Sequence, residues 1–439
     1  MRERTRRLVC RIAFLAICVA PTMVTSGWVA YRRSPIHAAA ERASWQDTLE
    51  RKLGLRATIE HVLRPRRGVA VLKGVMLTDP DSQRQLLQVR VVEVARTDHG
   101  WVVLLSQPEV FEDQFLRVWG VFQERILRGA PPNAATQVIA AEVTVRARPL
   151  SLTFTDVRAS LEPTASGIKT ICDFRVAGID MPSPAQWAVS RSRESGTPAT
   201  SWQLRTGLRP LPCSLFADYC PALQRLGARC RFQGSVWAEQ ARDGWNGDIA
   251  GELHDVDLGR LLEPFPHKLS GDALVVLNQA RFAEGRLREA AGALRGGQGV
   301  ISASLLTAFS EAFQMKLESR EHVGDEPLLQ FQQLALGFQL DAHGVKVIGL
   351  CEGTRPGVLV VDRAGPLLLD TKAEPVPAVA LARALSPDNQ LLVPATRQTD
   401  FLLRALPLPN LDPPAAATAR RSYSPLRLKT DTSSPAARR

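Results

Sequence analysis

From Val69 onward, apolar and polar residues exchange places at every second position over many short stretches, which is the period of a half-buried strand. "VIAAEVTVRA" sets Ile139, Ala141, Val143 and Val145 on one face, against Glu142, Thr144 and Arg146 on the other. "IKTICDFRV" does the same with Ile168, Thr170, Cys172, Phe174 and Val176 against Lys169, Asp173 and Arg175. "RGVAVLKGVMLTDP" puts Val69, Val71, Val75 and Leu77 together before Asp79-Pro80 breaks the run. "LALGFQLDAHGVKVIGL" aligns Leu334, Leu336, Phe338 and Leu340 ahead of a turn at His343-Gly344. Asp243-Gly244 and Glu284-Gly285 are further hairpin turns.

A helical period appears in few places. Trp45, Leu49 and Leu53 form a stripe that Gly54 stops. Phe115, Val118, Trp119, Phe122 and Ile126 form a second stripe, closed by Gly129 and Pro131. "PCSLFADYCPALQRLG" and "PVPAVALARALSP" also read as helices. Many strands with few helices predict a mainly β chain of antiparallel hairpins carrying a few amphipathic helices.

The N-terminus follows another pattern. Ile12–Ala30 is an apolar run free of charge, about long enough to span a bilayer as one helix. Five arginines precede it, so the positive-inside rule holds the N-terminus in the cytoplasm. Trp28 and Tyr31 stand where an interfacial aromatic belt sits. A cleaved signal peptide fits less well, because no A-x-A site follows the run. Either reading sends the rest of the chain out of the cytoplasm.

The formal net charge of +11 changes little once it is located. Residues 1–33 hold seven Arg and one Glu, and residues 410–439 hold five Arg, one Lys and two Asp. The body between is near neutral, which is no footprint for a phosphate backbone, so nucleic acid is excluded as its partner. The segments read as 1–33 basic end and anchor, 34–160 β/α region, 161–232 middle region, 233–404 second β region, and 405–439 a disordered basic tail rich in Pro, Ala and Ser.

Candidate chemistry is sparse. Cys172, Cys213, Cys220, Cys230 and Cys351 would lie where disulfides persist. Cys213 and Cys220 are too far apart to bridge within one helix, so either can pair with Cys230 instead. No zinc-ligand spacing is present. His254 and His267 fall in connectors with no nucleophile motif beside them, and Asp255 and Asp257 stand at a helix start, where capping is the ordinary role. Neither phosphate-loop nor dinucleotide glycine motifs occur. A hydrolase is therefore disfavoured, and no cofactor is expected.

One stretch carries a family resemblance. "GDIAGELHDVDLGRLL", then "LSGDALVVLNQARFAEGRLREAAGALRGGQGVISASLLTAF", resembles the C-terminal unit of the AsmA-like (AsmA/TamB-type) family. "LERKLGLRATIEHV" and "GVAVLKGVMLTDPD" resemble its early strands. The likeness covers about 10–95 and 235–350 and names no reactive residue. It implies an elongated, curved sheet with an apolar groove, anchored by one helix in the inner membrane with its bulk in the periplasm. It also implies a role in envelope lipid transfer or outer-membrane homeostasis, with membrane lipids and envelope proteins as partners. The apolar strand faces at Ile139, Val143, Val145, Leu334, Leu336 and Phe338 are the expected lipid-groove face. Strand faces ordinarily bury against a second layer, so the same residues also suit a filled core in a scaffold that binds protein partners without lipid.

Overall fold

The computed structural model describes residues 11–385, apart from residue 33 and segments 112–114, 130–133, 147–151, 165–166, 194–198, 218–219, 242–243, 319–327 and 372–373. The basic tail and Asp243 of the expected Asp243-Gly244 turn lie outside the described residues.

The chain is mainly β. Its large sheet is a ribbon in which each main strand pairs with the next in sequence. The first half contains β1 (His61–Arg66), β2 (Val69–Thr78), β3 (Gln85–Thr97), β4 (Gly100–Phe111), β5 (Ala135–Arg146), β6 (Leu152–Thr164), β7 (Gly167–Val176) and β8 (Ala185–Ser192). The second half contains β9 (Ala199–Arg205), β10 (Arg231–Ala241), β11 (Gly244–Asp257), β12 (Asp272–Ala283), β13 (Arg286–Gly296), β14 (Gln333–Asp341), β15 (Val358–Asp362) and β16 (Gly365–Leu369). The β6 and β10 strands run straight through positions 160 and 232, so the pairing continues across both expected boundaries.

One step is parallel, where antiparallel pairing was expected throughout: β4 and β5 run the same way, with Val103 opposite Val138 and Leu104 opposite Ile139. A parallel pair needs a crossover rather than a tight turn. The amphipathic helix α3 lies in that crossover; here α1 is Arg11–Arg32, α2 is Pro35–Leu53, and α3 is Phe115–Val121 continued by the wider-wound Phe122–Leu127.

The α1 helix is long and apolar enough to cross a membrane, with mean hydropathy 1.8 in its most apolar window and none of that window buried. The α2 helix starts directly after it. The Ser34 side chain accepts from His37 N–H, Pro35 takes the first turn, and Gly54 ends the helix at φ +69°, a left-handed cap glycine adopts without a Cβ penalty. Trp45, Leu49 and Leu53 pack with Leu72, Val75 and Leu77 of β2. From α3, Val118 and Val121 join that same cluster, whereas Trp119, Phe122 and Ile126 pack with Ile168 and Val189 on β7 and β8. The far end of the ribbon is closed by α4 (Leu258–Leu262), α5 (Ala303–Phe313) and α6 (Val379–Leu385), whose Leu258, Leu305, Leu306 and Ala382 are buried in the largest core cluster.

Three local expectations are corrected. Cys213–Phe216 and Pro221–Leu226 are separate 3₁₀ turns rather than one helix, since Pro221 has no N–H to continue an α-helical hydrogen-bond ladder through that point. His254 lies inside β11 rather than in a connector, because a bulge carries that strand on to Asp257. On β2 the buried positions are Ala70, Leu72, Val75 and Leu77, so Val69 and Val71 do not share the buried side. Both Gly74, between Leu72 and Val75, and Gly244 of the expected turn have positive φ, at +62° and +130°.

Candidate functional site

Directly opposed residues on paired strands share a face. Following the register from strand to strand traces one row across the ribbon. It begins Ala70, Val94, Val103, Val138, Ala159 and Cys172. It continues Trp187, Leu204, Val236, Ile249, Ala280, Ala290 and Leu340. All thirteen residues, on the thirteen strands β2–β14, are apolar. At about 4.8 Å between strands the row extends on the order of 58 Å along the sheet.

The next row over lies on the opposite face and changes character. It reads Val71, Glu93, Leu104, Ile139, Arg158, Asp173, Gln186, Arg205 and Ser235. Gln186 donates to Asp173 at 3.0 Å, and farther along this face Arg281 pairs with Glu289 at 2.8 Å. The ribbon is thus two-sided, with a continuous apolar stripe on one side and hydrogen-bonded polar groups on the other.

Cover over the stripe is uneven. Toward the N-terminal end α2 and α3 pack on the neighbouring row of the same face, at Leu72, Val92 and Leu105, and within the row itself the Trp119 ring of α3 stands 5.0 Å from that of Trp187. At the C-terminal end Ala280, Ala290 and Leu340 are buried under α5 and α6. Between these caps, Val236 and Ile249 are only half-buried, packed beside Leu226 of the second 3₁₀ turn. Val94, Val103, Val138 and Ala159 are half-buried too.

The six residues expected to form a groove do not form one surface. Leu334 is buried, and Leu336 and Phe338 pack at the edge of the same helix-capped core. Val145 is buried and Val143 half-buried, whereas Ile139 belongs to the polar-side row, opposite Arg158 and the exposed Leu104. On β5 the buried positions are Ala140 and Val145, an odd spacing, so strict alternation does not hold through the strand. The transverse row was missed because it depends on register, which single-strand periodicity does not report.

The remaining candidates are structural. Asp257 caps α4, accepting from Gly259 and Arg260 N–H at 2.9 and 3.1 Å, and Asp255 pairs with Arg231 at 2.5 Å. His254 stands 3.3 Å from Glu252. His267 meets a hydroxyl, with Nδ1 3.0 Å from Ser304 Oγ, and Ser304 in turn donates to Ser302, the N-cap of α5. Burial lowers the His267 pKa, while the Ala384 backbone pulls the other way. Among the described residues no carboxylate is hydrogen-bonded to this ring, so the group reads as a capping network rather than a triad. Among the described residues no cluster of His, Cys, Asp and Glu is arranged to hold a metal. Cys213 and Cys230, by contrast, meet with their sulfurs 2.9 Å apart.

Comparison with known family models, with curated proteins and with solved structures returns no match for this chain.

Proposed function

We propose that this chain is a membrane-anchored, AsmA-like periplasmic protein that handles envelope lipid, holding acyl chains against the apolar side of its ribbon. The observation that carries this reading is the unbroken apolar row from Ala70 to Leu340. Acyl chains need a continuous apolar path, and a single polar residue would interrupt it by exposing hydrocarbon to an unpaired hydrogen-bonding group. The polar reverse face stays solvated. The α1 helix holds the ribbon at the inner membrane, with the basic N-terminus in the cytoplasm and the body in the periplasm.

The helices packed on both ends of the row favour a second reading, a scaffold for envelope protein partners whose stripe is simply core. Crosslinking separates the two. A photoreactive phenylalanine analogue at Val138 or at Val236 is irradiated in native membranes, and the purified full chain is weighed. Phospholipid adducts at both positions support lipid handling. Folded protein with no adduct at either position overturns it and leaves the scaffold.

A further inference from the structure

The chain folds back at the middle of the ribbon in a way the lipid reading does not require. Leu211–Pro212 pairs antiparallel with the start of β10, Leu211 opposite Phe232 and Pro212 opposite Arg231. One step further along the same ladder brings Cys213 opposite Cys230, and Cys213 N–H donates to the Cys230 carbonyl at 2.9 Å. Opposed residues of an antiparallel ladder have Cα atoms about 4.5–5.5 Å apart, inside the range a disulfide spans. Their side chains leave the same face, and the two sulfurs lie 2.9 Å apart. Both residues are almost fully buried, at 2% and 1% exposure.

We propose that Cys213 and Cys230 form a disulfide that staples the 3₁₀ loop between them onto the apolar side of the ribbon. The loop's Leu226 packs in the same cluster as the two cysteines, beside Val236 and Ile249 of the apolar row. The bridge therefore fixes the cover over the middle of the row. Cys220, the third cysteine of this segment, is exposed and stands outside that cluster.

The chemistry is thiol–disulfide exchange with a disulfide-bearing oxidant protein of the exported compartment. The thiolate of one cysteine attacks the oxidant's disulfide and forms a mixed disulfide, releasing one oxidant thiolate. The second cysteine's thiolate then attacks the mixed bond and displaces the other. Two S–H bonds are lost and one S–S bond forms in this chain. Two electrons and two protons pass to the oxidant, which leaves as a dithiol. Because both sulfurs end almost fully buried, exchange acts before the loop packs.

Native oxidation rests on the periplasmic placement proposed above, and the test keeps the two apart. Cells making the full chain are quenched in acid. Free thiols are blocked with iodoacetamide under denaturing conditions, the sample is reduced, and new thiols are labelled with N-ethylmaleimide. The expected result is N-ethylmaleimide on Cys213 and Cys230, with iodoacetamide on Cys172, Cys220 and Cys351. Iodoacetamide on Cys213 and Cys230 in cells, with the bridge forming when purified reduced protein meets oxidised glutathione, overturns native oxidation, and a reporter fused after residue 33 reads the placement independently. Failure in both settings, or a bridge to Cys220, overturns the pairing itself.

Discussion

Gly74 on β2 and Gln107 on β4 lie at one level of the sheet, both in the left-handed backbone region at φ +62° and +51°, with Arg90 of β3 between them. The Arg90 guanidinium donates to Gln107 Oε1 at 3.2 Å. Asp156 on β6 repeats the conformation at φ +50° and pairs with Arg175 at 2.6 Å. These residues form a crease across the sheet at which the buried side changes parity. That is why Leu72 and Val75, three apart, pack in one cluster.

The crease gives the first prediction. Gly74→Val places a β-branched residue at positive φ, and its Cβ would meet the Glu60 carboxyl group. It should destabilise the full chain by about 1–2 kcal/mol in urea unfolding. Gln107→Gly relieves left-handed strain at the cost of chain entropy and should stay within about 0.5 kcal/mol of the parent. Equal losses for both variants would mean the crease is not set by these residues.

A second prediction concerns acid. Asp79 accepts from Ser82 Oγ at 2.8 Å and from Arg117 of α3 at 3.1 Å. The Ser82 hydrogen bond first, then Arg117, holds its carboxyl below the usual carboxylate range. A depressed folded pKa means the stabilisation is complete above the ordinary value near 3.8 and is lost as pH falls through the folded value. Asp79→Asn should therefore be less stable than the parent at pH 7, and the gap should narrow as pH falls below the ordinary value near 3.8. A stability gap that persists unchanged in acid would show that the carboxylate charge plays no part in docking α3.

Much of the fold was legible because strands announce themselves by period. Val143 and Val145, or Leu334 and Leu340, sit on strands legible from alternation, whereas the strands of Val236, Ile249, Ala280 and Ala290 are legible from the turns at Asp243-Gly244 and Glu284-Gly285. The crease was not legible, because Gln107 and Asp156 adopt a conformation that only glycine advertises. The parallel step at Val103 and Val138 left a readable sign, a helix between two strands, which the prevailing hairpin pattern masked. The site was the least legible part. Grouping Ile139 with Val143 follows from alternation alone, whereas the actual row joins residues from thirteen strands through a register set by turns and bulges.

Topology is tested directly. A reporter fused after residue 33 should be active only when placed outside the cytoplasm, and the mature full chain should keep Met1 by mass. A soluble product beginning near Tyr31 would replace the anchor with a cleaved leader.

The staple has a thermodynamic signature. Closing a loop between residues 17 apart removes chain entropy from the unfolded state worth about 3 kcal/mol. The urea midpoint of the oxidised full chain should fall on adding reductant, and Cys213→Ala with Cys230→Ala should match the reduced parent and ignore reductant. An unchanged midpoint on reduction would mean the loop is held by packing alone.

The last prediction separates the two ends of the apolar row by what surrounds them. Leu340 is 7% exposed beneath the helices of the C-terminal core, so Leu340→Asp forces an unpaired charge into an apolar cluster. That costs several kcal/mol against a total stability of roughly 5–15 kcal/mol, and the variant should fail to fold. Val138 belongs to the same row but is half-buried and lies outside every core cluster. A carboxylate there keeps water within reach, so Val138→Asp should melt within a few degrees of the parent. If acyl chains lie along the row, this folded variant loses the phospholipid that co-purifies with the parent, because a charge in their path must be dehydrated whenever lipid is bound. Mass spectrometry of lipid extracted from equal amounts of folded protein reads the difference. Collapse of Val138→Asp alongside Leu340→Asp would make the row core along its whole length. A folded Val138→Asp that keeps its lipid would place acyl chains somewhere other than this stripe.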